Sequence, residues 1–162
     1  MSTLTTLAFS MQEFPCVDSD TKGGYWTWNV PECLGQWEAD LLGRLRAYAD
    51  GQIVEFSDVA VDPGPTTPFQ ARVYELCRAI PYGDRMSYGQ LARLAGSPGA
   101  SRAVGQCLAR NPIPILIPCH RVVGAGGKLV GFTAPGGLAM KKKLLQLETN
   151  ALHLKEHSGN IS

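Results

Sequence analysis

Cys119 and His120 stand side by side in Pro118–Cys119–His120–Arg121–Val122–Val123, directly after the apolar, proline-punctuated run 111–117. A thiolate is the strongest nucleophile a side chain offers, yet a free thiol is only a few per cent ionised at neutral pH. A nearby imidazole can take the proton. Neighbouring residues on an extended strand point to opposite faces, so on a strand the thiol and the ring cannot simply touch. Either the backbone turns here or a water bridges the two. The plain alternative is a buried structural cysteine beside a surface histidine, since free cysteine is among the most buried residue types.

The elements that must hold this pair begin at Thr67–Pro68, a cap followed by a first-turn proline. Phe69, Val73, Leu76, Cys77 and Ile80 recur at helical spacing as a buried face, and Pro81–Tyr82–Gly83–Asp84 makes a turn. Ser87 caps a short helix over about 88–95, Gly96–Ser97–Pro98–Gly99 interrupts it, and a second helix over about 100–110 turns Val104, Cys107 and Leu108 inward. Two short helices with a glycine-containing turn between them read as a helix-turn-helix, about 87–110. Asn111–Pro112 and Pro114 stop the helix and favour extended backbone. Asn111 either caps that helix or ties the turn to the cysteine segment through its amide. Beyond Val123, the glycines of 124–127 predict a hairpin into Lys128–Phe132, followed by a loop over Thr133–Gly137. The last helix is expected over Gly137–Glu148, packing on Leu138, Leu144, Leu145 and Leu147, with Lys141–Lys142–Lys143 on a solvated face and a frayed tail from Thr149.

Before this lies a segment of different character. Leu4–Met11 and Gly23–Val30 read as strands, the second with Trp26 and Trp28 on one face. Leu34, Trp37, Leu41, Leu42 and Leu45 predict a helix over 34–49. Asp62–Pro68 holds three prolines and a glycine and marks a domain boundary. The expected organisation is α/β (α+β): a small supporting domain over 1–66 and a mostly helical domain over 67–162. Residues 1–66 carry three Lys/Arg against ten Asp/Glu, a net −7; residues 67–162 carry twelve against four, a net +8. A basic half suits a polyanionic partner, and two oppositely charged domains docked on each other would show the same asymmetry. No apolar run approaches the ~20 residues that span a bilayer, and the N-terminus has no basic signal-peptide region. Five cysteines in no regular spacing disfavour a disulfide framework and fit a reducing, cytoplasmic setting.

Several blocks, in order, resemble the methylated-DNA–protein-cysteine methyltransferase (O6-alkylguanine-DNA alkyltransferase) family. They are Phe69–Gln70, Ile80–Pro81–Tyr82–Gly83, Ser87–Tyr88, Arg102–Ala103–Val104–Gly105, Asn111–Pro112, Ile117–Pro118–Cys119–His120–Arg121–Val122, Gly131–Phe132, and Lys143–Leu144–Leu145 with Glu148. The match runs from about Phe69 to Glu148; residues 1–66 show none. The resemblance implies a ribonuclease H-like supporting domain and a repair protein needing no cofactor. It would bind double-stranded DNA through the minor groove as a monomer, with cooperativity open, and flip an O6-alkylguanine into its site. O4-alkylthymine is a further implied substrate. Cys119 would accept the alkyl group, His120 act as base through water, Glu148 orient His120, and Asn111 brace the turn. Tyr88, Arg102, Ser87 and Ala103 would meet DNA, Arg102 filling the gap left by the flipped base. Tyr88, Val122, Phe132 and Thr133 would form the substrate pocket. A thioether on sulfur cannot be hydrolysed, so each molecule would react once.

Each role has a plainer reading. Glu148 alone reads as a solvated helix end, Tyr88 as packing, Arg102 as a phosphate contact, and Arg121 as a donor to backbone carbonyls. Two features depart from the family pattern: the loop Thr133–Gly137 is long, and Phe132 stands where tyrosine is common. Some family members hold zinc in the N-terminal domain; Cys16 and Cys33 occur there without a histidine, so no metal is expected. Three other functions are weighed: a relative that binds alkylated DNA without reacting, which the acceptor cysteine argues against; a cysteine hydrolase, which would turn over; and a helix-turn-helix regulator that senses alkylation.

Overall fold

A computed structural model describes residues 35–158. The expected strands Leu4–Met11 and Gly23–Val30, with Trp26 and Trp28, lie outside the described residues, as do Cys16 and Cys33. Within them the fold is mixed: five α-helices, two short 3-10 turns and one two-stranded sheet.

Local signals set most helix ends. Helix α1 spans Gln36–Ala49 and α2 spans Pro68–Arg78. Thr67 accepts a hydrogen bond from the Gln70 amide at 3.2 Å, and Pro68 takes the first helical position. The hydroxyl pairs an amide that a helix start leaves unbonded, and proline has none to leave. The two-residue strand β1 (Met86–Ser87) runs into α3 (Tyr88–Leu94), where Ser87 and Gln90 cap each other reciprocally. Helix α4 spans Ser101–Ala109, and α5 spans Gly137–Ser158.

Two apolar clusters result. One joins α2, α3 and α4 to the cysteine segment through Val73, Cys77, Leu91, Val104, Ile117 and Val122, all at most 1 % exposed. The other gathers Tyr48 of α1, Phe56 and Val59, Tyr82, and Ala151 of α5. Residues 53–56 form a loop, held by Arg78 Nη2 donating to the carbonyls of Phe56, Ser57 and Val59 and by the Arg44–Asp58 ion pair. Strand β2 (Val122–Val123) pairs in parallel with β1, Met86 opposite Val122 and Ser87 opposite Val123. This pairing sets the start of α3 beside the Cys–His turn.

Five expectations are corrected. The hairpin does not form: Gly126 and Gly127, both at positive φ, curl the chain, with Gly127 N bonded to the Gly124 carbonyl and Gly124 N to that of Lys128. Among the described residues strand β2 pairs with β1 alone. Helix α5 does not fray at Thr149 but continues to Ser158, with no glycine or proline to break it and with Ala151 and Leu152 packed into the second cluster. Leu138 on α5 and Trp37 on α1 face outward, 47 % and 55 % exposed; the fully buried residue of α1 is Tyr48, with Leu41 and Leu45 half-buried beside the same cluster. Lys141 is fully buried, not solvated. Among the described residues no helix is long and apolar enough to cross a membrane.

Replacing Thr67 by Ala is expected to cost about 1 kcal/mol, with Thr67→Ser nearly neutral, as read from chemical denaturation midpoints.

Candidate active site

The cysteine segment is neither strand nor α-helix. Cys119–Arg121 form one 3-10 turn, with Cys119 N bonded to the Ile117 carbonyl at 2.7 Å and Arg121 N to that of Pro118 at 2.9 Å. Successive side chains diverge on such a turn. Sγ of Cys119 faces a cavity of about 460 Å³, while His120 points into the interior, 1 % exposed. No hydrogen bond joins the two. Tyr88 of α3, Arg102 and Gly105 of α4, and Phe132 and Thr133 line the same cavity.

Asn111 ties the turn to the thiol, the second of its two expected roles. Its Nδ2 donates to the Ile117 carbonyl at 2.8 Å and to Cys119 Sγ at 3.3 Å, and its Oδ1 accepts from Ile113 N at 3.0 Å. Inside this loop Ile115 sits at φ 74°. A β-branched residue rarely adopts that conformation, and such strain persists only where the surroundings over-determine it.

Glu148 is fully buried on α5. Its Oε1 accepts from His120 Nε2 at 2.9 Å, Arg121 Nη2 at 2.9 Å and the Tyr48 hydroxyl at 2.8 Å; its Oε2 accepts from Gly83 N at 3.0 Å. Arg121 also donates to the Ile80 carbonyl at 2.7 Å, as expected of a residue that braces backbone. Burial alone would raise the Glu148 pKa, but donation by His120 and Arg121 outweighs it and holds the carboxyl at about 2. With Glu148 ionised, His120 Nε2 must carry a proton and donate it. Nδ1 is buried and has no hydrogen-bond partner among the described residues. Burial pushes the His120 pKa down, and Arg121 and Lys141 push the same way, against Glu148. The ring is therefore neutral at physiological pH, with a free lone pair on Nδ1. Burial raises the Cys119 thiol, opposed by the Asn111 bond and the Lys141 charge. The arrangement is a protonated thiol on a cavity wall, next to an oriented neutral base.

The remaining predicted residues divide. The Tyr88 hydroxyl donates to the carbonyls of Val130 at 3.2 Å and Gly131 at 3.3 Å. Arg102, second in α4, is exposed at the cavity. Thr133 Oγ1 donates to the Ala109 carbonyl at 2.9 Å, fastening the cavity wall to α4. Ser87 serves as a cap, Ala103 is half-buried, and Val122 is fully buried; none of the three lines the cavity.

Sequence reasoning missed two members. Tyr48 continues the spacing of Leu41 and Leu45, which pointed it inward but could not reveal its partner. Lys141 shares a helix face with Leu145 and Glu148, at i, i+4 and i+7, a signal hidden by the neighbouring lysines. Its Nζ donates to the carbonyls of Val122 at 2.5 Å, Val130 at 2.9 Å and Gly131 at 3.3 Å. Among the described residues no cluster of three or more His, Cys, Asp or Glu could hold a metal ion.

Residues 68–150 match the model of the family described as 6-O-methylguanine DNA methyltransferase, DNA binding domain. A methylated-DNA–protein-cysteine methyltransferase of Mycobacterium leprae (strain TN) is 47 % identical over 110 residues, 68 % of this chain and 64 % of that protein. One from Mycobacterium tuberculosis (strain ATCC 25618 / H37Rv) is 50 % identical over 107 residues, 66 % of this chain and 62 % of that protein. The match thus spans less than two thirds of either relative. The crystal structure of Mycobacterium tuberculosis OGT in complex with DNA aligns with a TM-score of 0.64 at 46 % identity, covering 70 % of this chain and 68 % of that one.

Two outcomes are expected. Asn111→Ala removes the donor to sulfur, so the Cys119 thiol should titrate higher and react more slowly near neutrality, measured by pH-dependent labelling with iodoacetamide and peptide mapping of Cys119. Glu148→Gln breaks a buried ion pair and should destabilise the fold by about 3–5 kcal/mol. Because the folded pKa of Glu148 lies near 2 against an ordinary 4.5, its contribution is full above about pH 4.5 and lost as the pH falls toward 2. Wild-type stability should decline through that window, and the Gln variant should lack this component.

Proposed function

The chain belongs to the 6-O-methylguanine DNA methyltransferase family, and from that premise we propose that it repairs DNA by moving the alkyl group of O6-alkylguanine onto Cys119, once per molecule. The observation that carries this reading is the thiol on the wall of the cavity, bonded to Asn111 and adjacent to a histidine whose outer nitrogen is engaged by Glu148. In the reaction, His120 Nδ1 takes the thiol proton through a water. The thiolate attacks the alkyl carbon, a C–S bond forms as the C–O6 bond breaks, and the departing guanine recovers one proton. The thioether lacks an activated centre that water could attack, so the protein is consumed. A cysteine hydrolase would share the base and nucleophile, but turnover separates the two.

An O6 substituent inside a duplex is out of reach of a protein sulfur, so the nucleotide must rotate out of the stack. In this reading α3 and α4 form a helix-turn-helix that approaches the minor groove, where little sequence information is displayed. That suits a protein acting at any sequence. Arg102 fills the gap left by the base, and neighbouring groups around Ser87 and Ala103 meet the backbone. Tyr88 exchanges its loop carbonyls for the entering guanine, and Phe132 and Thr133 wall the alkyl group. The net +8 of residues 67–162 supplies attraction to phosphate. O4-alkylthymine presents an equivalent carbon and is included. We assign residues 1–66 to a supporting domain of ribonuclease H-like fold and the acting form to a monomer.

Intact-mass measurement after mixing with a duplex holding one O6-methylguanine should show a gain of about 14 Da, with the modification on Cys119 and no gain for Cys119→Ser. Repeated turnover, or a modification on another residue, would exclude the reading.

A further inference from the structure

Tyr48 lies on α1, outside the segment 68–150 that carries the family match. It is nonetheless 2 % exposed and reaches the reactive cluster across 100 positions of chain. Its hydroxyl donates to Glu148 Oε1 at 2.8 Å, and its oxygen lies 3.3 Å from His120 Nε2. Edge-on contacts with Phe56 and Tyr82, ring centroids 5.9 Å apart in both cases, hold the ring in place.

The direction of that proton decides the rest. With the phenolic hydrogen committed to Glu148, a lone pair of the tyrosine oxygen faces His120 Nε2. Such a neighbour favours an Nε2 that carries hydrogen, since two lone pairs would otherwise oppose each other. Nδ1 is then the basic nitrogen. The same hydroxyl also spreads the negative charge of Glu148, which His120, Arg121 and the Gly83 amide otherwise divide among them.

We propose that Tyr48 is a positioning residue for the transfer: its hydroxyl reinforces the Nε2–H tautomer of His120 that Glu148 selects and limits how strongly Glu148 draws a second proton onto the ring before the thiol supplies it. The inference rests on the reaction proposed above. The groups facing His120 are Glu148 and Lys141 from α5, Cys119 and Arg121 from its own turn, and Tyr48 from α1, with Tyr82 beside Arg121 and Glu148. Of these, Glu148 favours the imidazolium, while Arg121 and Lys141 oppose it. Removing the Tyr48 hydroxyl leaves more of the carboxylate charge on the ring, so His120 should be protonated, and lost as a base, at higher pH.

Tyr48→Phe keeps the ring and its packing. Two measurements are compared with wild type: the NMR titration of the His120 ring in the DNA-free protein, and the single-turnover transfer rate from an O6-methylguanine duplex as a function of pH. The variant should titrate about half a pH unit higher or more, with the acid limb of the rate profile moving by the same amount. Tyr82→Phe, which removes a hydroxyl that among the described residues is bonded only to the Gln52 carbonyl, should move neither. A lower melting temperature with both pH profiles unmoved would make Tyr48 a packing residue and overturn the proposal. Should the Phe variant not fold, 3-fluorotyrosine at position 48, which keeps the ring and donates more strongly to Glu148, should titrate His120 lower than wild type, and an unmoved titration sinks the idea. The titration involves no DNA, so a wild-type protein that gains no mass refutes the reaction without deciding the Tyr48–His120 linkage.

Discussion

A single carboxylate, Glu148, joins four parts of this protein. It accepts from Tyr48 on α1, from the Gly83 amide in the turn after α2, and from His120 and Arg121 on the 3-10 turn, while sitting on α5 itself. Burying a charge costs several kcal/mol unless its lone pairs are met and an opposite charge lies near. Here both conditions hold, and meeting them constrains everything around it. Helix α5 must run unbroken past Glu148 to seat Ala151 in the second cluster. The turn at Gly83 must present its amide, which it does at φ 81°, where an added Cβ would lie 2.2 Å from Leu152 Cδ1. The imidazole, in turn, has one orientation and one free nitrogen.

The thiol is governed by a different balance. Its loop is stapled by Asn111, whose amide closes the turn and donates to sulfur at once. Burial disfavours the thiolate, and the Asn111 bond and Lys141 favour it. A thiol kept protonated at rest resists unwanted oxidation or alkylation, and becomes a strong nucleophile only when a base removes its proton. Separating Cys119 and His120 to two sides of a 3-10 turn serves this arrangement, because no direct bond presses the proton across.

Lys141 organises the cavity wall in place of a hairpin. Its ammonium answers the carbonyls of Val122, Val130 and Gly131, and it lies 5.6 Å from the centre of the Tyr88 ring. The Tyr88 hydroxyl meets the same two loop carbonyls. The wall is thus held by side chains, not by a ladder. A side-chain tether can be exchanged for a ligand contact without unzipping a sheet.

Residue order alone determined what acts within a turn or two of chain. Thr67–Pro68 and Ser87 start helices because a cap and its amide are three residues apart. Prolines and glycines end them, and helical spacing marks Val73, Cys77 and Ile80 as core. The adjacent Cys119–His120 pair and the spaced blocks from Phe69 to Glu148 were equally readable, since they depend on residue type and order alone. Only the tertiary structure decided where the charges went. Lys141 and Glu148 read as solvated because nothing beside them in the chain offers carbonyls or donors; their partners arrive from 10 to 100 positions away. Whether a charged side chain is buried depends on the groups that folding assembles around it, and that assembly also turned Cys119 toward the cavity, His120 inward and brought Tyr48 of α1 against Glu148 and His120.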